Sequence, residues 1–123
     1  MSIKIGSVDL LIDGQWTKTG NSFPVYNPAD TSVLAEVADA TAKDGIAAVD
    51  AADEAFKTFS QTSARYRAEI LRKAFEIMTA EIDYCAELIS LENGKALKDA
   101  KAEAVYATEF FRWFSEEASR VPG

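Results

Sequence analysis

Glycine and proline are distributed unevenly along this chain of 123 residues, and the distribution limits what the chain can fold into. The first 41 residues hold Gly6, Gly14, Gly20, Pro24 and Pro28, whereas residues 42–121 hold only Gly45 and Gly94 and no proline. Proline and glycine break helices and favour turns. We therefore predict a mostly α fold with a small β part, in which residues 1–41 form short strands and a hairpin and residues 42–123 form the helical part.

Local patterns predict four short β segments in the first part. Residues 8–12 are β-prone, and Asp13-Gly14 is a strong two-residue hairpin signal because both turn positions favour positive φ. Residues 15–17 are the predicted return strand. Residues 23–26 and 33–37 are predicted as further strands on either side of Asn27-Pro28-Ala29-Asp30. We expect a single small sheet without a complete core of its own.

Four helices are predicted in the second part. Thr41 and Asp44 have capping-box spacing at the start of the first helix, and the second begins after Ser63. The third runs from about 83 to Asn93-Gly94, where glycine suits a left-handed C-terminal cap. The fourth spans 97–120 and is followed by Pro122-Gly123. The first helix carries apolar residues at three- and four-residue steps, which give it one apolar stripe: Ile46, Val49, Ala52, Phe56 and Phe59.

The fourth helix is apolar over more of its surface than one neighbour can cover. Its large apolar residues spread over roughly 240° of the helix circumference: Val105, Tyr106, Phe110, Phe111, Trp113 and Phe114. We predict that this helix packs on two sides, against its own neighbours and against a further partner. The alternative is that the other three helices wrap it completely.

The chain has one cysteine and no histidine, which excludes several classes of site. No disulfide forms within one chain, and no histidine-based metal site, Ser-His-Asp triad or Cys-His pair exists on it. Lys and Arg number 13 against 20 Asp and Glu, a net charge of −7, which predicts no nucleic-acid partner. No stretch approaches the ~20 apolar residues of a membrane helix. Without a signal-peptide pattern in the first six residues, we expect a cytoplasmic protein.

Two single residues are candidates for chemistry. Cys85 lies on the apolar face predicted for the third helix, where a buried structural thiol is a better interpretation than a nucleophile. Glu92 falls on the same face, and a buried carboxylate requires a partner. That partner could be a lysine, backbone N–H groups or a bound cation, and the pattern alone leaves the choice open.

Several segments in register resemble the NAD(P)-dependent aldehyde dehydrogenase family. Leu11-Ile12-Asp13-Gly14-Gln15-Trp16 resembles the opening hairpin of that family, and Val25-Tyr26-Asn27-Pro28-Ala29-Asp30 its asparagine-proline turn. Leu91-Glu92-Asn93-Gly94-Lys95 resembles its acidic–x–glycine–lysine segment, although Ala96 stands where many members have proline. Residues 103–117 are most similar to the succinate-semialdehyde dehydrogenase branch.

The resemblance covers only the N-terminal region of the family, within its cofactor-binding domain. It implies a parent enzyme that oxidises an aldehyde, such as succinate semialdehyde, to a carboxylic acid through a cysteine thiohemiacetal and hydride transfer to NAD or NADP. The nucleophilic cysteine, the glutamate base and the dinucleotide-binding glycines of the family lie further along. We therefore expect no catalytic and no cofactor-binding residue on this chain, and no activity from it alone.

Two groups of residues are carried over from the family. Glu92, with the carbonyls of Val25 and Tyr26, matches positions that hold a structural monovalent cation in several members. Ala102, Glu103 and Tyr106 match positions that line the mouth of the substrate tunnel.

The same resemblance implies a partner for the fourth helix. The remainder of the enzyme would pack against helix 97–120, and in isolation we expect self-association through the uncovered surface. The alternative function is a stand-alone helical interaction module that docks through helix 97–120.

Overall fold

The structure is a computed structural model that describes residues 4–120. Residues Met1 to Ile3, part of the segment judged for a signal peptide, lie outside the described residues. So does Pro122-Gly123, which was predicted to follow the end of the fourth helix. The elements, in chain order, are β1 (Leu10–Ile12), β2 (Gln15–Thr17), β3 (Ser22–Tyr26), β4 (Val33–Ala38), α1 (Ala42–Phe59), α2 (Ala64–Ala80), α3 (Ile82–Asn93) and α4 (Leu97–Ala118). The prediction of a mostly helical fold with a small β part is confirmed.

Two compact units divide between Gln61 and Thr62. The first holds β1 to β4 and α1, and the second holds α2, α3 and α4. The change from strand to helix falls at Ala42, but the boundary between the two units lies after α1. Helix α1 therefore belongs to the same unit as the strands.

The first unit contains two antiparallel two-stranded sheets and not the single sheet that was expected. One pairs β1 with β2 and the other β3 with β4. The predicted hairpin turn is confirmed, with φ of 50° at Asp13 and 72° at Gly14. Strand β1 begins at Leu10, two residues later than the β-prone run predicted, because only residues 10–12 pair with β2.

The capping box at the start of α1 is confirmed. The Thr41 hydroxyl accepts a bond from the Asp44 N–H at 3.3 Å, and the Asp44 carboxylate accepts one from the Thr41 N–H at 2.8 Å. The large residues of the apolar stripe of α1 are exposed: Ile46, Val49 and Phe56 are 63%, 67% and 64% exposed. The reason is that β1 and its turn meet α1 along small side chains, which line an open groove there: Ala48, Ala51, Ala52 and Ala55.

Thr41→Ala is expected to lower the free energy of unfolding by about 1 kcal/mol, because the Asp44 N–H loses its acceptor. Urea unfolding followed by circular dichroism measures the change. Thr58→Ala is the matched control, since the Thr58 hydroxyl only bonds back to the Ala55 carbonyl of the same helix. Equal stability of the two variants would contradict the capping role.

The same cap predicts a pH dependence. Hydrogen bonds from the Thr41 hydroxyl and N–H lower the pKa of Asp44 below its ordinary value of 3.8. The carboxylate therefore stabilises the fold above that value, and the contribution is lost as the pH falls through the lowered folded-state pKa. The stability difference between wild type and Thr41→Ala should narrow over that acidic range, and a constant difference would contradict this assignment.

In the second unit α4 packs against both α2 and α3 through small residues. Its buried side chains are Ala100, Ala104, Thr108 and Ser115. Short side chains let helix backbones approach closely, so they form the contact while no large side chain of residues 4–120 is fully buried. Helix α4 ends at Ala118, two residues before the predicted end, where the Ser119 N–H bonds to the Glu117 carbonyl in a tightened turn.

Candidate functional site

The α3–α4 connection positions the predicted acidic–x–glycine–lysine segment. Gly94 caps α3 with φ of 75°, and its N–H donates to the Ser90 carbonyl at 2.9 Å. The Ser90 hydroxyl donates to the Lys95 carbonyl at 2.7 Å. The predicted glycine cap is confirmed, and it turns the chain directly into α4.

Glu92 lies in the last turn of α3 and its side chain is exposed. The prediction of a buried carboxylate is wrong: Cys85, Leu88 and Ile89 are half-buried along that face, whereas Glu92, in the last turn of the helix, is exposed. No residue between 4 and 120 donates a hydrogen bond to the Glu92 carboxylate. The nearest lysine in sequence, Lys95, pairs with Glu103 instead.

Val25 and Tyr26 end β3, in the first unit. The β3–β4 ladder shifts register between them, and such irregularities interrupt regular pairing. The turn that follows is held by the Asn27 side chain, which accepts a bond from the Ala29 N–H at 2.9 Å. Hydrogen bonds from the Ser32 hydroxyl and N–H lower the pKa of Asp30.

The structure brings Val25 and Tyr26 together on one strand, whereas Glu92 belongs to the second unit. Across residues 4–120 no group of three or more His, Cys, Asp or Glu side chains is placed to hold a metal ion.

Helix α4 presents an exposed aromatic face, defined by Tyr106, Phe110, Trp113 and Phe114, which are 48–66% exposed. Tyr106 and Phe110 are in edge contact, with ring centroids 5.0 Å apart. The aromatic face, with Glu109 and Arg112, lines an open groove of about 360 Å³. The prediction of a second apolar side on this helix is confirmed, and the alternative of a helix fully wrapped by its neighbours is wrong.

The tunnel candidates Ala102, Glu103 and Tyr106 are all exposed on α4. Glu103 pairs with Lys95, and Glu109 and Glu116 pair with Arg112. The hydrogen bond from Arg112 lowers the pKa of Glu109. Hydrophobic periodicity missed the Lys95–Glu103 pair because Lys95 precedes the helix and helical spacing does not relate the two residues.

Cys85 is a half-buried free thiol on α3. Within the described part of the chain, no helix is long and apolar enough to cross a membrane.

The aldehyde dehydrogenase family model matches residues 16–123. The chain belongs to the aldehyde dehydrogenase family.

Its relatives include succinate-semialdehyde dehydrogenases. The mitochondrial enzyme of Rattus norvegicus is 42% identical over 115 residues, covering 94% of this chain and 22% of the rat protein. The NADP(+) enzyme of Saccharomyces cerevisiae is 42% identical over 113 residues, covering 91% and 23% of the two chains. The solved succinate-semialdehyde dehydrogenase of Burkholderia pseudomallei has a TM-score of 0.90 at 34% identity, covering 100% of this chain and 27% of that one. The chain thus spans about a quarter of the length of these relatives.

Proposed function

We propose that this chain is the N-terminal structural part of an NAD(P)-dependent aldehyde dehydrogenase that oxidises succinate semialdehyde or a similar aldehyde to the acid. Similarity to succinate-semialdehyde dehydrogenases over nearly the whole chain supports the reaction and the substrate class. By this proposal residues 1–41 and 42–123 together form a fragment of the cofactor-binding domain. The chain holds no catalytic residue and is inactive alone.

That similarity carries the proposal, and the aromatic face of α4 supports the part of it that gives this chain a packing partner. Tyr106, Phe110, Trp113 and Phe114 are exposed along α4, whereas Ala100 and Ala104 are buried where the helix contacts α2 and α3. Apolar surface of this kind marks an interaction site. We assign the remainder of the enzyme as its partner, with Ala102, Glu103 and Tyr106 at the mouth of the substrate tunnel.

We propose that the Glu92 carboxylate and the backbone carbonyls of Val25 and Tyr26 bind a monovalent cation. Carboxylate and carbonyl oxygens suit a hard cation, and the Glu92 carboxylate has no protein partner among residues 4–120. The exposed position of Glu92 leaves it accessible to an ion.

A hybrid enzyme, in which this chain replaces the matching segment of the yeast relative, tests the proposal. We expect it to oxidise succinate semialdehyde with NADP, followed by the absorbance of the reduced nucleotide, while the chain alone shows no turnover. A hybrid that carries the rat segment is the matched control for the replacement itself. A folded but inactive hybrid beside an active control would overturn the proposal.

Glu92→Gln in the hybrid enzyme is expected to abolish stabilisation by potassium or sodium. A bound ligand raises the unfolding temperature by mass action, and the variant loses the charged ligand. Thermal unfolding in potassium chloride and in choline chloride at equal ionic strength measures the difference. Glu87→Gln, on the same helix, is the control. Equal salt responses of wild type and Glu92→Gln would contradict the cation site.

A cytoplasmic location stays a prediction, while the rat relative is named a mitochondrial enzyme.

The alternative function, a stand-alone interaction module that docks through helix 97–120, also stays a prediction, and it would use the same aromatic face. Turnover by the hybrid enzyme favours the enzyme over the module.

A further inference from the structure

The ion pair between Lys95 and Glu103 is the feature from which the inference starts. Lys95 lies before α4, and its Nζ contacts Glu103 Oε2 in the second turn of that helix. The two side chains are 37% and 48% exposed. Exposed ion pairs add little to stability. The main consequence of the pair is that the Lys95 ammonium group cancels the negative charge of the Glu103 carboxylate at that point of the helix surface.

Glu103 stands at the N-terminal end of the aromatic face. At ~100° per residue it lies about 20° from Phe110 and about 60° from Tyr106 around the helix. Ala104 lies about 100° from Glu103 around the helix, on the side where α4 packs on its neighbours. An unpaired Glu103 carboxylate would therefore direct negative charge along the aromatic face.

Three further glutamates near the aromatic face are paired as well. Glu109 and Glu116 pair with Arg112, and Glu117 pairs with Arg120. Asp99 lies one turn before Glu103, at the helix N-terminus, where the helix dipole favours a carboxylate. Glu103, Glu109, Glu116 and Glu117 thus each have a cationic partner, whereas Asp99 makes no ion pair among residues 4–120.

We propose that Lys95 is a specificity-determining residue that allows an aldehyde bearing a carboxylate to pass Glu103 at the proposed tunnel mouth, at the N-terminal end of the aromatic face. It does so by cancelling the charge of Glu103. The inference rests on the proposed function, because that function supplies the anionic substrate and places Glu103 at the tunnel mouth.

Kinetics of the hybrid enzyme test the inference. Lys95→Met should raise the KM for succinate semialdehyde by about fivefold at low salt, the effect of one uncancelled charge roughly 4 Å away in water. The KM for butanal, a neutral aldehyde of the same length, and kcat for both should stay unchanged. Lys95→Arg and the double variant Lys95→Met/Glu103→Gln should restore the KM. Lys101→Met is the matched control, because it breaks the ion pair with Asp83 away from the aromatic face.

A second measurement uses the chain alone and needs no activity. In a Trp16→Phe background, at a protein concentration at which light scattering shows a monomer, the fluorescence of Trp113 reports the aromatic face, since the chain has two tryptophans. Lys95→Met should reduce quenching by iodide at low salt but not quenching by neutral acrylamide, and high salt should remove the difference.

Three results would overturn the inference: unchanged iodide quenching in Lys95→Met, a KM that rises equally for both aldehydes, or a KM that Lys95→Arg does not restore. An inactive hybrid would count against the proposed function instead, while the quenching result would still decide whether Lys95 cancels charge on this face.

Discussion

Ala104→Leu is expected to destabilise the second unit by about 1–3 kcal/mol, the usual cost of adding methylene groups to a packed contact. Ala104 is 2% exposed and lies where α4 packs against α2 and α3. A leucine there forces the helices apart or adopts a strained rotamer. Urea unfolding of the full chain followed by circular dichroism measures the loss.

Ala102→Leu is the control for that experiment. It makes the same change on the same helix at an exposed position, and leucine is nearly as good a helix former as alanine. We expect a change within about 0.5 kcal/mol. Equal stability of Ala104→Leu and Ala102→Leu would contradict the claim that α4 needs small side chains to pack against α2 and α3.

The double variant Trp113→Ser/Phe114→Ser is expected to weaken self-association of the isolated chain by more than about tenfold, because two large aromatic side chains leave the interface. Both side chains are more than half exposed. Light scattering over a concentration series should show a mass that rises for wild type and stays monomeric for the variant.

Exposed apolar residues on α1 supply the comparison. Ile46→Ser/Val49→Ser removes similar surface from the other unit and should leave association largely intact. A wild-type chain that stays monomeric at high concentration, or equal effects of the two double variants, would contradict association through the aromatic face.

Features set by adjacent residues were predictable from the sequence. The Asp13-Gly14 turn, the Thr41–Asp44 cap and the Gly94 cap each depend on the backbone preferences of a few neighbouring positions. Tertiary packing has little influence on such local choices, so helix starts and turns lie where the sequence places them.

Burial was less predictable because it depends on which elements meet. Ile46 and Phe56 have the spacing of a core stripe, yet β1 contacts the alanines of α1 instead. On α4 the large aromatic residues dominate the apolar pattern, while the contact is made by Ala100, Ala104 and Thr108. Because hydrophobic periodicity is dominated by large side chains, it identifies the exposed face of such a helix more readily than the face that packs on its neighbours.

The candidate site came mainly from resemblance to the family. Nothing in the local pattern distinguishes Ala102 or Tyr106 from other exposed helix positions, and the proposed roles of Val25 and Tyr26 rely on backbone carbonyls that every residue has. Glu92 was singled out by its spacing, although its exposure differs from the prediction.

Turnover of succinate semialdehyde, measured side by side for the chain alone and for the hybrid enzyme, tests most directly whether this chain is the structural N-terminal part of an aldehyde dehydrogenase. We predict NADP reduction by the hybrid at a rate comparable to that of the rat-segment control, and none by the chain alone. Turnover by the chain alone, or a folded hybrid without turnover beside an active control, would contradict the account.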